Sequence, residues 1–299
     1  METQKTWLEV SLNGPWGKSR QPGIPIGINE IIAQGVACVE AGAGIVHVQA
    51  YDESTGRPHE DAEVYAAVIQ GIRSQVDAIV YPAVSATGIA SSLAGATSQV
   101  RFAIQEELAK RSLLEWSVVD PGSANFAYYD DVKEDLVASW VYANSEEQLR
   151  HTLKLAARHR FHPSYGIYEP GFARLGAALH WRSSSPAPIY RFMFSSDYTF
   201  GFAPEDYGLT AYLNLLDQVA PGARWMVAGL GVNILPLVPR AVAEGGHVRV
   251  GLEDASFGCA KSNLQLVMEA VEVIRNCGAE PATAAEIRAE LATVEMGDG

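Results

Sequence analysis

The chain has 299 residues, a formal net charge of −13 and a pI of about 5.0, with 48% apolar and 19% charged residues. That length and composition suit one large α/β barrel and exclude a disordered chain, while the negative charge argues against non-specific nucleic-acid binding. Three widely spaced cysteines (Cys38, Cys259, Cys277), the absence of a transmembrane-length apolar run and a start without a signal-peptide apolar region together point to reduced thiols in a cytoplasmic protein with no membrane partner.

Apolar, β-rich runs recur along the chain, and a segment of helical period follows each. The first strand spans 6–12 and its helix 28–41, and the second pair covers 44–49 and 61–75. The third strand is 78–84 with a helix over 98–111, and the fourth is 115–119 with a helix over 145–160. Ser145-Glu146-Glu147-Gln148 is a capping-box pattern at the start of that helix. Strands at 164–168, 189–194, 224–228 and 247–252 precede helices at 172–182, 204–218, 233–243 and 261–276. Gly278 stands where a helix C-terminal glycine belongs, and a helical tail at 282–291 begins with a Thr283 cap. Eight β–α units imply a (β/α)8 TIM barrel, a single domain over 1–299 with a short C-terminal helical extension. A doubly wound sheet is the alternative, but Asn13-Gly14-Pro15-Trp16-Gly17-Lys18 after strand one matches neither GxGxxG nor a P-loop.

The eighth run reads Gly245-Gly246-His247-Val248-Arg249-Val250-Gly251-Leu252-Glu253-Asp254. Strand side chains alternate, so His247, Arg249, Gly251 and Glu253 share one face and Val248, Val250 and Leu252 the other. Ionisable groups on a buried face must be paired or bound to something. Charges converging at the C-terminal end of a barrel strand are a common catalytic arrangement. A buried Arg–Glu pair that merely braces the strand is the plainer alternative. The other strand ends supply Asn13, then His47, Gln49 and Tyr51, then Ser85, then Asn125. His47 and Gln49 share a face of strand two, where a His-x-His pair would make a metal platform, but an amide oxygen is a weak ligand beside an imidazole. By spacing alone, a hydrogen-bonded histidine filling the top layer of the barrel is the favoured reading of His47.

The strand-eight run, with Ser262-Asn263 and Leu266-Val267 after it, resembles the β-keto acid cleavage enzymes of the 3-keto-5-aminohexanoate cleavage type. Ala41-Gly42-Ala43-Gly44-Ile45-Val46-His47, Asp120-Pro121-Gly122-Ser123-Ala124-Asn125-Phe126, Trp225-Met226-Val227-Ala228-Gly229-Leu230-Gly231 and Ala282-Thr283-Ala284-Ala285-Glu286-Ile287-Arg288 extend the likeness over nearly the whole chain. The resemblance implies a (β/α)8 barrel, a homotetramer and a divalent metal, generally zinc. It also implies condensation of a β-keto acid with acetyl-CoA, followed by cleavage to acetoacetate and a new CoA ester. His47 and Glu253 would then be metal ligands, Asp254 the general base and Arg249 its orienting partner, with Asn13, Tyr51, Ser85 and Asn125 as substrate-binding candidates.

Departures cluster on the site face. The family's second metal histidine is Gln49 here and its strand-two arginine is Tyr51. Its strand-three serine and threonine fall on Ala83 and Val84, and its strand-four threonine on Val118. A first-turn acidic residue becomes Trp16, and the strand-five glutamate becomes Gly166. These changes leave three expectations in order: a divergent β-keto acid cleavage enzyme with Gln49 as a weak or replaced ligand, a metal-poor enzyme of other C–C cleavage or enolisation chemistry, and an eroded barrel that binds a small carboxylate. The loop 52–61 is expected to be solvated with an N-cap at Asp61, or else to bring Arg57 or His59 to substrate. The stretch 130–135 reads as an exposed charged loop.

Overall fold

All eight apolar runs form strands, and they pair in parallel. A computed structural model of the chain describes residues 3–84, 97–130 and 135–297. The strands are β1 (Leu8–Ser11), β2 (Ile45–Val48), β3 (Ile79–Pro82), β4 (Trp116–Val118), β5 (His162–Ile167), β6 (Ile189–Phe194), β7 (Trp225–Gly229) and β8 (His247–Val250). Their order in the sheet is β3-β2-β1-β8-β7-β6-β5-β4, so β1 and β8 are hydrogen-bonded neighbours. The two edge strands, β3 and β4, come together at the seam, where the Tyr81 and Trp116 rings lie 5.9 Å apart. The result is a (β/α)8 barrel nearly closed by backbone pairing and completed at its seam by aromatic packing.

Helices α1 (Ile28–Glu40), α2 (Ala62–Arg73), α3 (Ser98–Arg101), α4 (Ala103–Lys110), α5 (Glu146–His159), α6 (Pro170–His180), α7 (Asp206–Val219), α8 (Val238–Ala243) and α9 (Asn263–Asn276) return the chain between strands and after the last one. Their ends obey local chemistry. Asp61 accepts from the amides of Glu63 and Val64 at the start of α2, and Ser145 and Ser262 make capping boxes with Gln148 and Gln265. Gly278, at φ 82°, ends the α9 turn in a conformation that favours glycine.

Alternation along the strands divides the core. Val46, Val48, Val248, Val250 and Leu252 face the helices. Trp7, Ile45, Ile79, Trp116, Ile189 and Met226 fill the N-terminal end of the barrel interior. The expected helical tail is α10 (Ala284–Gly297), whose Ala284, Ile287 and Leu291 join that inner cluster and so close the barrel floor. The Thr283 hydroxyl accepts from Glu286 N at 3.3 Å, as a cap does.

The segment after β4 departs from expectation. It is an antiparallel hairpin, Ala124–Asp130 with Asp135–Tyr142, rather than a plain loop carrying a charged stretch. Residues 131–134 lie outside the described residues. Phe126 and Tyr142 pack with Met193, Tyr198, Phe200 and Leu230 to form an aromatic cluster at the C-terminal end of the barrel. The period-two pattern was present in the sequence, but a β–α unit asks for only one strand, and the acidic centre of the segment read as solvated.

At the floor, His247 stacks on Trp7 with centroids 4.1 Å apart and accepts from Trp7 N through Nδ1 at 3.2 Å. Burial holds its pKa down to about 3, from 6.5. The folded ring therefore stays neutral while the unfolded ring takes up a proton below its ordinary value. Its contribution to stability is present above that value and is lost as pH falls toward the folded pKa. Urea unfolding of wild type and His247→Gln between about pH 6 and 4 is expected to show wild type losing about 1.4 kcal/mol more per pH unit. Parallel curves would show that His247 is not the buried neutral ring described.

Candidate active site

The barrel interior changes character above its floor. Glu9 on β1, His47 on β2, Tyr81 on β3, Arg191 on β6 and Arg249 on β8 are all inward-facing and at most 3% exposed. Arg249 is the hub. Its Nε and Nη2 donate to Asp254 Oδ2 and Oδ1 at 2.7 and 2.8 Å, and Nη1 donates to Glu9 Oε1 at 3.0 Å. Nη2 also lies 3.4 Å from Glu253 Oε1. Burial works against the guanidinium charge, but Asp254, Glu253 and Glu9 outweigh it and hold its pKa above the ordinary arginine range. Fork-to-fork pairing fixes both the position and the plane of the Asp254 carboxylate. Leu252 turns its amide to Asn263 Oδ1 at 2.9 Å, which secures the loop carrying Glu253 and Asp254.

Glu253 sits at the rim with 13% of its side chain exposed. Ser11 donates its hydroxyl to Glu253 Oε2, and His47 Nε2 lies 3.6 Å from that oxygen. Burial raises the Glu253 pKa, with Arg249 and Ser11 pulling the other way and Asp254 adding to the rise. Burial, then the positive charges of Arg249 and Arg191, push the His47 pKa well below 6.5, so the ring is neutral at neutral pH. Arg191 is held more loosely than Arg249. Its Nη2 is 3.5 Å from Asp120 Oδ1 and 3.4 Å from Ser164 O.

The remaining expected residues divide. Gln49 is buried, but its amide N–H groups go to Glu60 Oε1 at 2.6 Å and the Tyr65 hydroxyl at 3.1 Å. Asn13 is consumed as a clamp between strand ends, donating to Pro25 O and Gln49 O and accepting from Gln49 N. Tyr51 donates to Gly14 O at 2.5 Å and accepts from Gly17 N, and burial pushes its pKa up to about 12. These two residues therefore shape the β1 loop rather than offering polar groups to a ligand. Asn125 is exposed on the hairpin, and its neighbour Phe126 is the buried one, so the structure does not bring Asn125 to the site. Ser85 lies outside the described residues. Arg57 and His59 are exposed, while Glu60 of the same loop reaches Gln49.

Glu9, Ser11, Tyr81 and Arg191 were not singled out from sequence. The signal was available, because the alternation argument used on strand eight places Glu9 and Ser11 inward on β1 and Arg191 inward on β6. The substituted positions have also been refilled. Gly166 N donates to Asp120 Oδ1 at 2.8 Å, and a Cβ at position 166 would strike that oxygen. Tyr142 gives its hydroxyl to Asp120 Oδ2 at 2.6 Å. Trp16 donates from Nε1 to Glu253 O at 2.7 Å and packs edge-on against Phe257.

A catalytic zinc site asks for three strong protein ligands and an open fourth position. His47 Nε2 and Glu253 are a suitable pair, since two ligands of one tetrahedral ion span such an edge. Among the described residues no third His, Cys, Asp or Glu converges with them. Gln49 has its amide turned to Glu60 and Tyr65, and Glu253 is already satisfied by Ser11 and Arg249. The donor set does not fit a three-ligand zinc site.

A family model described as "beta-keto acid cleavage enzyme" matches residues 5–292. The chain is 25% identical over 277 residues to the 3-keto-5-aminohexanoate cleavage enzyme of Fusobacterium nucleatum, covering 91% of each. It is 26% identical to the 3-oxoadipate:acetyl-CoA acetyltransferase of Cupriavidus necator, covering 98% of this chain and 97% of that one. Among solved structures, the apo structure of ObcA superposes with a TM-score of 0.71 at 16% identity. That match takes in 92% of this chain and 66% of ObcA, so the chain spans just under two thirds of that protein.

Elemental analysis of the protein after dialysis is expected to find well under one zinc per chain. Gln49→His, which puts a second imidazole beside His47, is expected to raise it toward one. One tightly held zinc in wild type would contradict the donor count, and a variant that gains none would show that β2 is not a metal platform.

Proposed function

This chain belongs to the beta-keto acid cleavage enzyme family, and from that premise we propose that its barrel mouth condenses a β-keto acid with acetyl-CoA and cleaves the product to acetoacetate and a new CoA ester. The observation that carries this reading is the Arg249–Asp254 clamp. A carboxylate is held by two parallel hydrogen bonds at the C-terminal end of β8, where barrel enzymes do their chemistry.

The chemistry asks first for a base. The carbon between the two carbonyls of a β-keto acid loses a proton readily once the resulting negative charge is stabilised. We assign proton removal to Asp254. Arg249 orients it through two parallel hydrogen bonds, while Glu9 balances the charge of Arg249 from the opposite side. The carbanion then attacks the thioester carbonyl of acetyl-CoA and expels CoA thiolate. The thiolate adds to the original ketone, the bond between that carbon and its neighbour breaks to leave the new CoA ester and the carbanion of acetoacetate, and protonated Asp254 returns its proton to that carbanion. Neutral His47 and the buried guanidinium of Arg191 are the groups of this chain placed deeper in the barrel to meet developing negative charge. No step is assigned to a metal ion.

A cavity of about 350 Å³ opens between the loops after β7 and β8 and the start of α9. It is lined by Val232, Asn233, Asp254, Phe257 and Cys259 among others, and it is of the size small ligands occupy. It supports a place for the second reactant beside Asp254. Relatives named for acetyl-CoA-dependent transfers support the same co-substrate. No helix among the described residues is long and apolar enough to cross a membrane. A single barrel domain, a cytoplasmic setting and a homotetramer complete the proposal.

Incubating the protein with a panel of β-keto acids and acetyl-CoA is expected to give new CoA esters and acetoacetate by mass spectrometry. Asp254→Asn is expected to lower kcat about a thousandfold, as removal of a general base does. No CoA ester from any acid, with and without added zinc, would sink the proposal, and full activity in Asp254→Asn would move the base elsewhere.

A further inference from the structure

The loop between β1 and α1 carries a cation that the mechanism above does not use. Arg20 is half-buried at the barrel mouth. Its guanidinium carbon is 3.8 Å from the centroid of Phe257, 5.2 Å from that of Trp16 and 5.3 Å from that of Tyr128. The three rings come from three segments, namely the β8 loop, the β1 loop and the hairpin. Each contact lies within the reach of a cation–π attraction. Such a surround crowds the guanidinium with aromatic rings and leaves the Tyr198 hydroxyl as its nearby polar partner.

No carboxylate ion-pairs with Arg20 among the described residues. Asp197, on the same side, is placed against the Tyr128 hydroxyl at 3.4 Å. Tyr198 lies close enough that its pKa, raised by burial, is pulled back by the charge of Arg20. Arg249 differs in that carboxylates take up its donors from two sides. Arg20 is also fixed relative to the candidate base. Gly258 N donates to Arg20 O at 3.2 Å, Trp16 donates to Glu253 O at 2.7 Å, and Phe257 follows Asp254 by three positions in the chain.

We propose that Arg20 determines specificity by binding an anionic oxygen group carried by the remote end of a reactant. The source is either the second carboxylate of a β-keto diacid or a phosphate of CoA. The proposal rests on the reading that this mouth receives a β-keto acid and acetyl-CoA. Three physical points support it. A guanidinium edge matches carboxylate and phosphate oxygens in pairs. Stacking on three rings has already fixed the side chain, so little rotamer entropy remains to be lost on binding. The aromatic rings lower the local polarity around the half-buried guanidinium, which strengthens a charge pair formed against them.

The test compares wild type, Arg20→Met and Arg20→Lys with three reactants: a β-keto diacid, a β-keto monoacid of the same length, and acetyl-CoA. Steady-state kinetics give KM with the other reactant saturating, and calorimetric titration gives Kd for each reactant alone. Arg20→Met is expected to weaken one anionic reactant about tenfold relative to the monoacid, with partial recovery in Arg20→Lys. A weakened diacid identifies the substrate carboxylate as the source. Weakened acetyl-CoA with an unchanged diacid-to-monoacid ratio identifies a CoA phosphate. Equal weakening of diacid and monoacid with acetyl-CoA unchanged would reduce Arg20 to packing, and no change in any of them would overturn the inference outright. Because titration reads binding without turnover, wild-type protein that binds these reactants but makes no CoA ester defeats the proposed reaction and still decides the role of Arg20.

Discussion

Arg249 is a cation with 2% of its surface exposed, held between Asp254 beyond the end of its own strand and Glu9 on the strand hydrogen-bonded to it. The rest of the site follows from this arrangement. A buried charge left unpaired costs about 3–5 kcal/mol, so the geometry that pairs it is enforced. The β1–β8 register sets Arg249 opposite Glu9. Gly251, at φ 138°, passes so close to Ser11 O that a side chain would not fit, and it turns the chain so that Glu253 and Asp254 come back over the barrel. One ion-pair set thus joins the strands that begin and end the barrel and presents a carboxylate at its mouth.

The interior is layered by what each layer must do. The floor is apolar and sealed by α10. The middle carries Glu9, His47, Tyr81, Arg191 and Arg249, with charges of both signs close together in a dry space. The rim is aromatic and draws on the hairpin, the β1 loop and the β8 loop. Low surroundings of water strengthen the ionic middle, and the rings above it keep those surroundings dry. The floor is packed hydrocarbon, while the middle and rim carry the polar and aromatic groups of the candidate site.

The departures from the family pattern form a connected rearrangement. Where a glutamate is expected on strand five, Gly166 makes room for Asp120, which takes hydrogen bonds from Gly166 and Tyr142 and faces Arg191. Where a histidine is expected on strand two, Gln49 has joined Glu60 and Tyr65 instead of a ligand set. Where an acidic residue is expected in the first turn, Trp16 closes over the Glu253 backbone and stacks beside Arg20. At these three positions the groups that remain have found other partners, and the strand-eight set of Arg249, Glu253 and Asp254 stays together.

The sequence by itself determined the eight strands, the helices between them, the caps at Ser145 and Asp61, the helical tail and the charged face of β8. All of these depend on periodicity and on residues a few positions apart, which is information a linear chain carries. The resemblance added the expectation that Gln49 stands where the family carries a metal histidine. What only the tertiary structure decided is which polar groups are already spoken for. Asn13 and Tyr51 were candidates by position, yet their hydrogen bonds close on backbone groups of the neighbouring loop and strand end. Glu9 and Arg191 became part of the candidate site because barrel closure brings β1 and β6 around Arg249, and the hairpin became an aromatic rim because its rings meet those of the loops after β5 and β6. A side chain's partners lie across the barrel, tens to hundreds of residues away in sequence, so its hydrogen-bonding state is a property of the closed sheet and of no segment alone.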